Sequence, residues 1–422
     1  MVHSTTAPRR LRSVLLVTHY YAPEHGAPQR RWSALVEEFV RAGVRVTVLA
    51  PPPHYPTGTP EPGAAVPRAG SRTTGPHGET VVRTAFRRHD ARLRTRVLDQ
   101  AVAAWSSVLL GLRLHRQGMR HDVVIGTVPG IPSMFAAWAL ARSARARFVV
   151  EMRDAWPDLL GPSKVLAGTG TRRTGLRGTV THLVHLAVTR MQRRADLLVT
   201  TTETFAGVAA ARGARRTVVV RNGTAYRTVG RAASDQPGRA LRVVYAGTVG
   251  RAQGLDAVVR ASARLAREGT AIEVRIVGAG ADVDRLGRLA TELDAPVSLE
   301  PRLAAQDVAG LYAWADTALV CLRDWEPLEW TVPSKLYELM AAGVHVTACV
   351  AGEAADLVTA VGAGAVVPPG DDRALAALWA AWTADGVRVP VVSPAAAAWV
   401  DAHVRDDQLA ARYLRTLDEL LA

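Results

Sequence analysis

Short runs of β-branched and aliphatic residues alternate twice along this chain with amphipathic segments, which leaves few folds open. In the first half the runs fall at 13–18, 45–50, 122–126, 147–151, 196–201 and 217–221. In the second they fall at 241–246, 273–277, 297–300, 317–321, 345–349 and 365–367. Strands joined through helices must pair in parallel, because the crossover carries the chain back to the same edge. Each half is therefore expected to form an α/β layer with a parallel, doubly wound sheet. Residues 33–42 read as the first crossover helix, closed by Gly43.

Length sets the number of such layers. A chain of 422 residues exceeds the ~250–300 at which a single core stops growing, so two domains are expected. The boundaries read as a first domain over 1–223, a polar linker over 224–240 and a second domain over 241–393. Helices over 394–422 are expected to pack back on the first domain. Residues 51–78, rich in Pro, Gly and Thr, read as a long functional loop. Residues 92–120 read as a helix with Arg at both ends and an apolar centre. It suits either a core or a membrane interface, and the core reading is slightly favoured.

Charge is unevenly spread. Residues 1–222 hold 33 Lys+Arg against 13 Asp+Glu, whereas the rest hold 19 against 25. A basic half suggests an anionic partner, either nucleic acid or lipid headgroups. Arginine enrichment from a GC-rich genome is the plainer reading, but it does not explain why the excess stays in one half. Motifs of nucleic-acid recognition are missing, so no nucleic-acid partner is expected. Cys321 and Cys349 lie in apolar runs and read as buried, reduced thiols. The start of the chain is polar and basic, and the apolar run at 14–17 is far too short for a signal core, so a cytoplasmic location is expected.

The turns after strands should carry the chemistry, since ligands of open α/β sheets bind at the carboxyl ends of strands. The first turn holds His25 and Gly26, where backbone amides could approach an anion. The second holds Arg153, Asp154 and Trp156, with Asp154 suited to accept from a sugar hydroxyl or to act as a base. Capping of a turn is the plainer role for Asp154. The third, Gly247-Thr248-Val249-Gly250-Arg251-Ala252-Gln253-Gly254, lets backbone approach a phosphate, and Arg251 adds charge. Its glycine spacing does not fit a dinucleotide fingerprint, which argues against NAD. Gly278 and Gly280 follow a further strand. Asp282 and Asp284 beyond them form a D-x-D that reads as a helix start rather than a metal–nucleotide grip. Pro333-Ser334-Lys335-Leu336-Tyr337-Glu338-Leu339-Met340-Ala341-Ala342-Gly343 reads as a helix capped by Ser334 and ended by Gly343. Lys335, one of only two lysines, would hold a diphosphate, and Glu338 on the same face would accept from a ribose diol.

In their order and spacing these motifs resemble the retaining family-4 glycosyltransferases of the GT-B fold. The likeness runs from Tyr20-Tyr21-Ala22-Pro23-Glu24 through Arg153-Asp154-Ala155-Trp156-Pro157, Arg221-Asn222-Gly223 and Gly278-Ala279-Gly280 to Glu338-Leu339-Met340-Ala341-Ala342-Gly343. Within the family the chain is most similar to the N-acetylfucosamine-type transferases of cell-surface polysaccharide synthesis. The resemblance implies two Rossmann-like domains facing a central cleft. The donor, expected to be UDP-linked, would be bound by Gly26, Gly247, Thr248, Arg251, Gln253, Gly278, Gly280, Ser334, Lys335 and Glu338. The acceptor would be met by His25, Arg153, Asp154 and Trp156, with Asp154 and Lys335 in the catalytic roles. It further implies a hexosyl or N-acetylhexosaminyl transfer with retention, no metal and no cofactor. A polyprenyl-linked acceptor at the inner face of the plasma membrane is the implied setting.

The chain departs from the family in two places. Trp330 stands where the first Glu of an E-x7-E pattern is usual, with Glu329 one residue off. Thr248 and Gln253 stand where an Arg and a Lys usually grip the diphosphate. A UDP-sugar 2-epimerase of the same fold, or a catalytically degenerate nucleotide-binding protein, therefore remain alternatives.

Overall fold

The computed structural model describes residues 10–24, 26–55, 57–60, 65–90, 92–160, 176–224, 239–384 and 389–422. They form two compact units, one from 10–160, 176–223 and Asp406–Ala422, the other from Thr224–Arg405. Residues 225–238, most of the expected linker, lie outside the described residues.

The first unit holds strands β1 (Ser13–Val17), β2 (Arg45–Ala50), β3 (Arg72–Thr74), β4 (Thr80–Arg83), β5 (Val123–Val128), β6 (Arg147–Met152), β7 (Leu197–Thr200) and β8 (Thr217–Val219). They form one sheet in the order β3-β4-β2-β1-β5-β6-β7-β8, parallel except for the antiparallel edge strand β3. Its helices are α1 (Ala27–Arg41), α2 (Leu93–Arg116), α3 (Ile131–Ala144), α4 (Leu176–Arg194) and α5 (Glu203–Ala211). The first crossover helix begins six residues before the expected start, because Pro28 in its first turn fixes a helical φ without removing a needed donor. The short strand β3 inside the expected loop 51–78 pairs with β4 through register Thr73↔Val81.

The second unit holds β9 (Leu241–Thr248), β10 (Ile272–Ala279), β11 (Val297–Glu300), β12 (Thr317–Cys321), β13 (Val346–Cys349) and β14 (Gly364–Val367). Their order, β11-β10-β9-β12-β13-β14, is all parallel and reverses direction between β9 and β12. That reversal is the switch point where ligands of doubly wound sheets bind. The helices are α6 (Asp256–Arg267), α7 (Val283–Glu292), α8 (Val308–Trp314), α9 (Glu326–Glu329), α10 (Ser334–Ala342), α11 (Glu353–Val361), α12 (Asp372–Thr383) and α13 (Pro394–His403). Cys321 and Cys349 are opposite each other on β12 and β13, buried and unbridged. The contact with Cys349, and then burial, push the Cys321 thiol pKa up, so Cys321 favours the thiol form.

The C-terminal segment divides between the units, which corrects the expectation that 394–422 packs as one piece on the first. Helix α13 stays with the second unit, where Trp399 stacks on Tyr337 of α10 at 5.8 Å between ring centroids. Only α14 (Asp406–Leu421) joins the first, against α1. The reason is local. Tyr413 and Leu417 of α14 continue an apolar stripe that buries beside Trp32 and Phe39, with the Tyr413 and Phe39 rings edge to face at 5.6 Å. Side chains of this size each stabilise by about 1.5–3 kcal/mol when fully buried.

A buried ion pair ties the first core to its closing segment. Arg31 Nε donates to Glu151 Oε1 at 3.0 Å, and both side chains are almost wholly inaccessible. The same guanidinium donates to the Val220 and Arg221 carbonyls at 2.9 and 2.5 Å, while Arg30 donates to the Gly223 carbonyl. The Arg221-Asn222-Gly223 segment is thus held by its backbone.

Candidate donor site

Three chain segments of the second unit converge at the carboxyl ends of β9 and β10. The strands are in register as Gly247↔Gly278 and Thr248↔Ala279. A Cβ on Gly278 would lie 1.8 Å from the Gly247 carbonyl oxygen, and one on Gly280 would lie 2.1 Å from that of Val249. Any side chain at either position would force the two strand ends apart, so these glycines are required by close backbone approach. The turn beyond β9 is held from inside. Tyr245 donates its hydroxyl to the Thr248 carbonyl at 2.7 Å, and Gln253 Oε1 accepts from the Gly250 amide at 3.1 Å.

Lys335 lies over this strand end. A Cβ built on Gly247 would sit 3.4 Å from Lys335 Cε, so the lysine stem covers the glycine face. Its ammonium donates to Glu338 Oε2 and to the Tyr312 hydroxyl, both at 3.2 Å. Burial alone would lower the lysine pKa, but the Glu338 charge and the Tyr312 contact outweigh it and the net shift is upward. Lys335 therefore remains an ammonium across the physiological range. Both residues sit in the first turns of α10, where the helix dipole adds positive potential.

The expected donor residues thus fall into two groups. Gly247, Gly278, Gly280, Lys335 and Glu338 meet at one place. Thr248 and Arg251 are exposed on the adjoining turn, and the Arg251 carbonyl accepts from Arg323 Nε at 2.5 Å. Gln253 is turned inward onto Gly250, so its amide oxygen braces the turn. Ser334 is not the cap: Pro333 occupies the N-cap position and no side chain caps the helix, because the residue after Pro333 is already helical. Gly343 ends α10 at φ 70°, a left-handed conformation that favours glycine. Trp330 is buried at the end of α9. The D-x-D is absorbed as a helix start, since Arg285 donates to both Asp282 oxygens at 2.7 and 2.6 Å.

Tyr312 was not foreseen from sequence. It ends up buried beneath the Lys335 ammonium from helix α8, 23 residues upstream, and no local motif marks it. Arg323 was missed for the same reason. It donates to Asp256 Oδ1 at 2.9 Å and packs against Gly254.

The acceptor candidates belong to the first unit, together with Gly26. Gly26 is the N-cap of α1. His25 lies outside the described residues. Arg153, Asp154 and Trp156 follow β6, half-buried, with the Trp156 amide donating to the Asp154 carbonyl at 2.8 Å. Burial raises the Asp154 pKa, and Arg153 beside it only partly offsets that. Arg153 Nε is buried and makes no hydrogen bond.

Two Rossmann-like units, each with an open parallel sheet, define the GT-B class. The second unit matches the family model "Glycosyl transferases group 1" over residues 240–385, and the first matches "Glycosyl transferase 4-like domain" over 26–223. Together these models cover most of the chain, which belongs to the GT-B glycosyltransferases of this group. Among solved structures the chain is similar to sucrose-phosphate synthase from Thermosynechococcus elongatus, with 16% identity, TM-score 0.74, and 97% of this chain and 99% of that one covered. It is similar to HepE of Anabaena in complex with UDP-glucose, with 16% identity, TM-score 0.64, and 96% and 99% covered. A third is the lipopolysaccharide outer core galactosyltransferase WaaB in its apo form, with 14% identity, TM-score 0.60, and 96% and 98% covered. At such identities these likenesses speak to the fold. No curated protein matches the sequence.

Proposed function

We propose that this glycosyltransferase moves a sugar from a UDP-linked donor, with retention of anomeric configuration, onto a polyprenyl-linked acceptor at the inner face of the plasma membrane. It would serve cell-surface polysaccharide synthesis, as a hexosyl or N-acetylhexosaminyl transferase of the N-acetylfucosamine type. The observation that carries the donor reading is the Lys335 ammonium over Gly247, next to Glu338. The glycine-lined strand ends admit a diphosphate to backbone distance. Lys335 neutralises charge that grows on the leaving diphosphate, an effect largest in the transition state. Glu338 would exchange its bond to Lys335 for the two hydroxyls of a ribose. The complexes of the structurally similar HepE with UDP and with UDP-glucose support uridine as the base. On the first unit, Asp154 would meet the acceptor hydroxyl, and its raised pKa suits proton acceptance. His25, Arg153 and Trp156 would complete that acceptor surface, and Gly26 would offer backbone to the donor.

The membrane reading draws support from helix α2. Arg94, Leu98, Ala101, Trp105, Leu109 and Arg116 recur at helical spacing and are all exposed, Trp105 at 67%. This gives an apolar stripe bracketed by arginines, the pattern of a helix lying in a headgroup layer. Its other face, with Ala103, Ala104 and Ser107, is buried. Helix α4, which like α2 packs on α3, adds exposed Val180, Leu183 and Leu186. Residues 94–116 form the one helical stretch, among the described residues, long and apolar enough to cross a membrane. The buried Asp99 on its inner face favours lying along the surface over spanning. The full chain is expected to sediment with vesicles containing anionic lipid and to release at high salt. A Trp105→Glu, Leu109→Glu double variant should stay in solution. A wild-type protein that ignores such vesicles at low salt would exclude the membrane reading.

The transfer itself is tested by incubating the chain with UDP-sugars and polyprenyl-phosphate-linked acceptors and reading the anomeric configuration of the product by NMR. An α-linked product from an α-linked donor is expected. Acceptor-independent conversion to the 2-epimer would instead establish the epimerase alternative, and UDP binding without any turnover the degenerate one.

A further inference from the structure

Four side chains of the first unit converge on one buried point that the transfer reaction does not use. His19 follows β1, His54 follows β2, His89 follows β4 and Asp99 projects from α2. His19, His54 and Asp99 are 2%, 3% and 0% exposed. Around Asp99 Oδ2 stand His19 Nε2 at 3.0 Å, His54 Nε2 at 3.8 Å and His89 Nε2 at 3.8 Å. In a tetrahedral site with metal–ligand bonds near 2.0–2.1 Å, neighbouring ligand atoms stand about 3.3 Å apart. The three distances to Asp99 Oδ2 scatter around that value, and the donor atoms of His19, His54 and Asp99 lie within 4.8 Å of one another, so a small inward shift would gather them round one ion.

The tautomers agree. His54 Nδ1–H donates to the Pro52 carbonyl at 2.8 Å, and His89 Nδ1–H donates to the Asp90 carbonyl at 3.0 Å. A carbonyl can only accept, so each ring's proton is on Nδ1 and the Nε2 lone pair faces inward. Asp99 Oδ1 accepts from the Arg87 amide at 2.9 Å, which leaves Oδ2 for the centre. Such outward bonds orient the ligands of metal sites. At the centre itself the three atoms are buried; His19 Nε2 stands 3.0 Å from Asp99 Oδ2, while His54 Nε2 has no hydrogen-bond donor. The inward lone pair of His54 Nε2 and the Asp99 carboxylate oxygen, 3.8 Å apart, repel one another, and a cation between them would relieve that repulsion.

We propose that His19, His54, His89 and Asp99 bind a structural divalent transition-metal ion of the zinc type. Four protein ligands close the coordination sphere, which marks a structural site rather than a catalytic one. The ion would pin three strand-end loops to helix α2 and so fix the helix whose outer face carries the apolar stripe.

Full-length protein prepared without a metal-affinity tag should carry about one zinc per chain by elemental analysis. After chelation it should take up one equivalent of Co2+ with the visible bands of a tetrahedral site, and its unfolding temperature should rise with added Zn2+. His89→Ala and Asp99→Asn should each weaken Co2+ binding at least ~10-fold while circular dichroism reports a folded chain. If those variants fail to fold, the zinc absorption edge of the wild type decides, with a shell of three imidazoles and one carboxylate expected. A folded wild type that neither retains nor takes up metal overturns the proposal. So does uptake unchanged in folded variants, or an absorption-edge shell of another composition.

Discussion

Lys335→Ala weakens UDP binding by ~2–3 kcal/mol, the scale of a lost charge-assisted hydrogen bond. That corresponds to roughly 30–150-fold in Kd. The size follows from the site. Lys335 is one of only two lysines in the chain, and Thr248 and Gln253 supply no charge to the diphosphate. Gln253 is committed to the Gly250 amide, and Arg251 lies exposed on the turn where water screens it. The substitution also leaves the Glu338 carboxylate beside the incoming phosphate with its ammonium partner gone. Titration calorimetry on the folded variant measures the effect. An affinity equal to that of the wild type would remove Lys335 from the donor site.

Arg31→Ala destabilises the first unit by ~3–5 kcal/mol, as expected when one partner of a buried ion pair is removed and the other stays. The stranded group is Glu151, whose Oε2 already lacks a hydrogen bond and which lies wholly out of solvent. Two further acceptors, the Val220 and Arg221 carbonyls, lose the same donor. Denaturant unfolding followed by fluorescence should show the first transition shifted while that of the second unit stays in place. A loss below about 1 kcal/mol, the range of exposed pairs, would mean that water reaches Glu151.

The parallel sheets were legible because period and composition report them directly. Runs such as 45–50 and 317–321 are continuous and β-branched, as strands buried on both faces must be. Lys335 and Glu338 were legible because a helix start places residues three apart on one face, and the structure joins them at 3.2 Å. What escaped is set by tertiary packing. Tyr312 reaches the lysine from another helix, and the Gln253 side chain folds inward, which its sequence neighbours do not dictate. The histidine–aspartate cluster draws on His19, His54 and Asp99, with His89 beside them, from four segments with none of the short spacings that mark a metal site in sequence. The split of α13 from α14 was likewise hidden, since both read as amphipathic tail helices and only the partner side chains, Tyr337 for one and Phe39 for the other, assign them.

The ends of β9 and β10 with the start of α10 are proposed to bind a uridine nucleotide sugar. A screen of nucleotide sugars for thermal stabilisation tests it most directly, because a ligand that binds only the native state raises the unfolding temperature by mass action. UDP and at least one UDP-sugar should stabilise the wild type, Lys335→Ala should abolish the shift, and Asp154→Asn should preserve it. No stabilisation of the folded wild type by any UDP compound, or the same shift in Lys335→Ala, would remove the uridine nucleotide from this site.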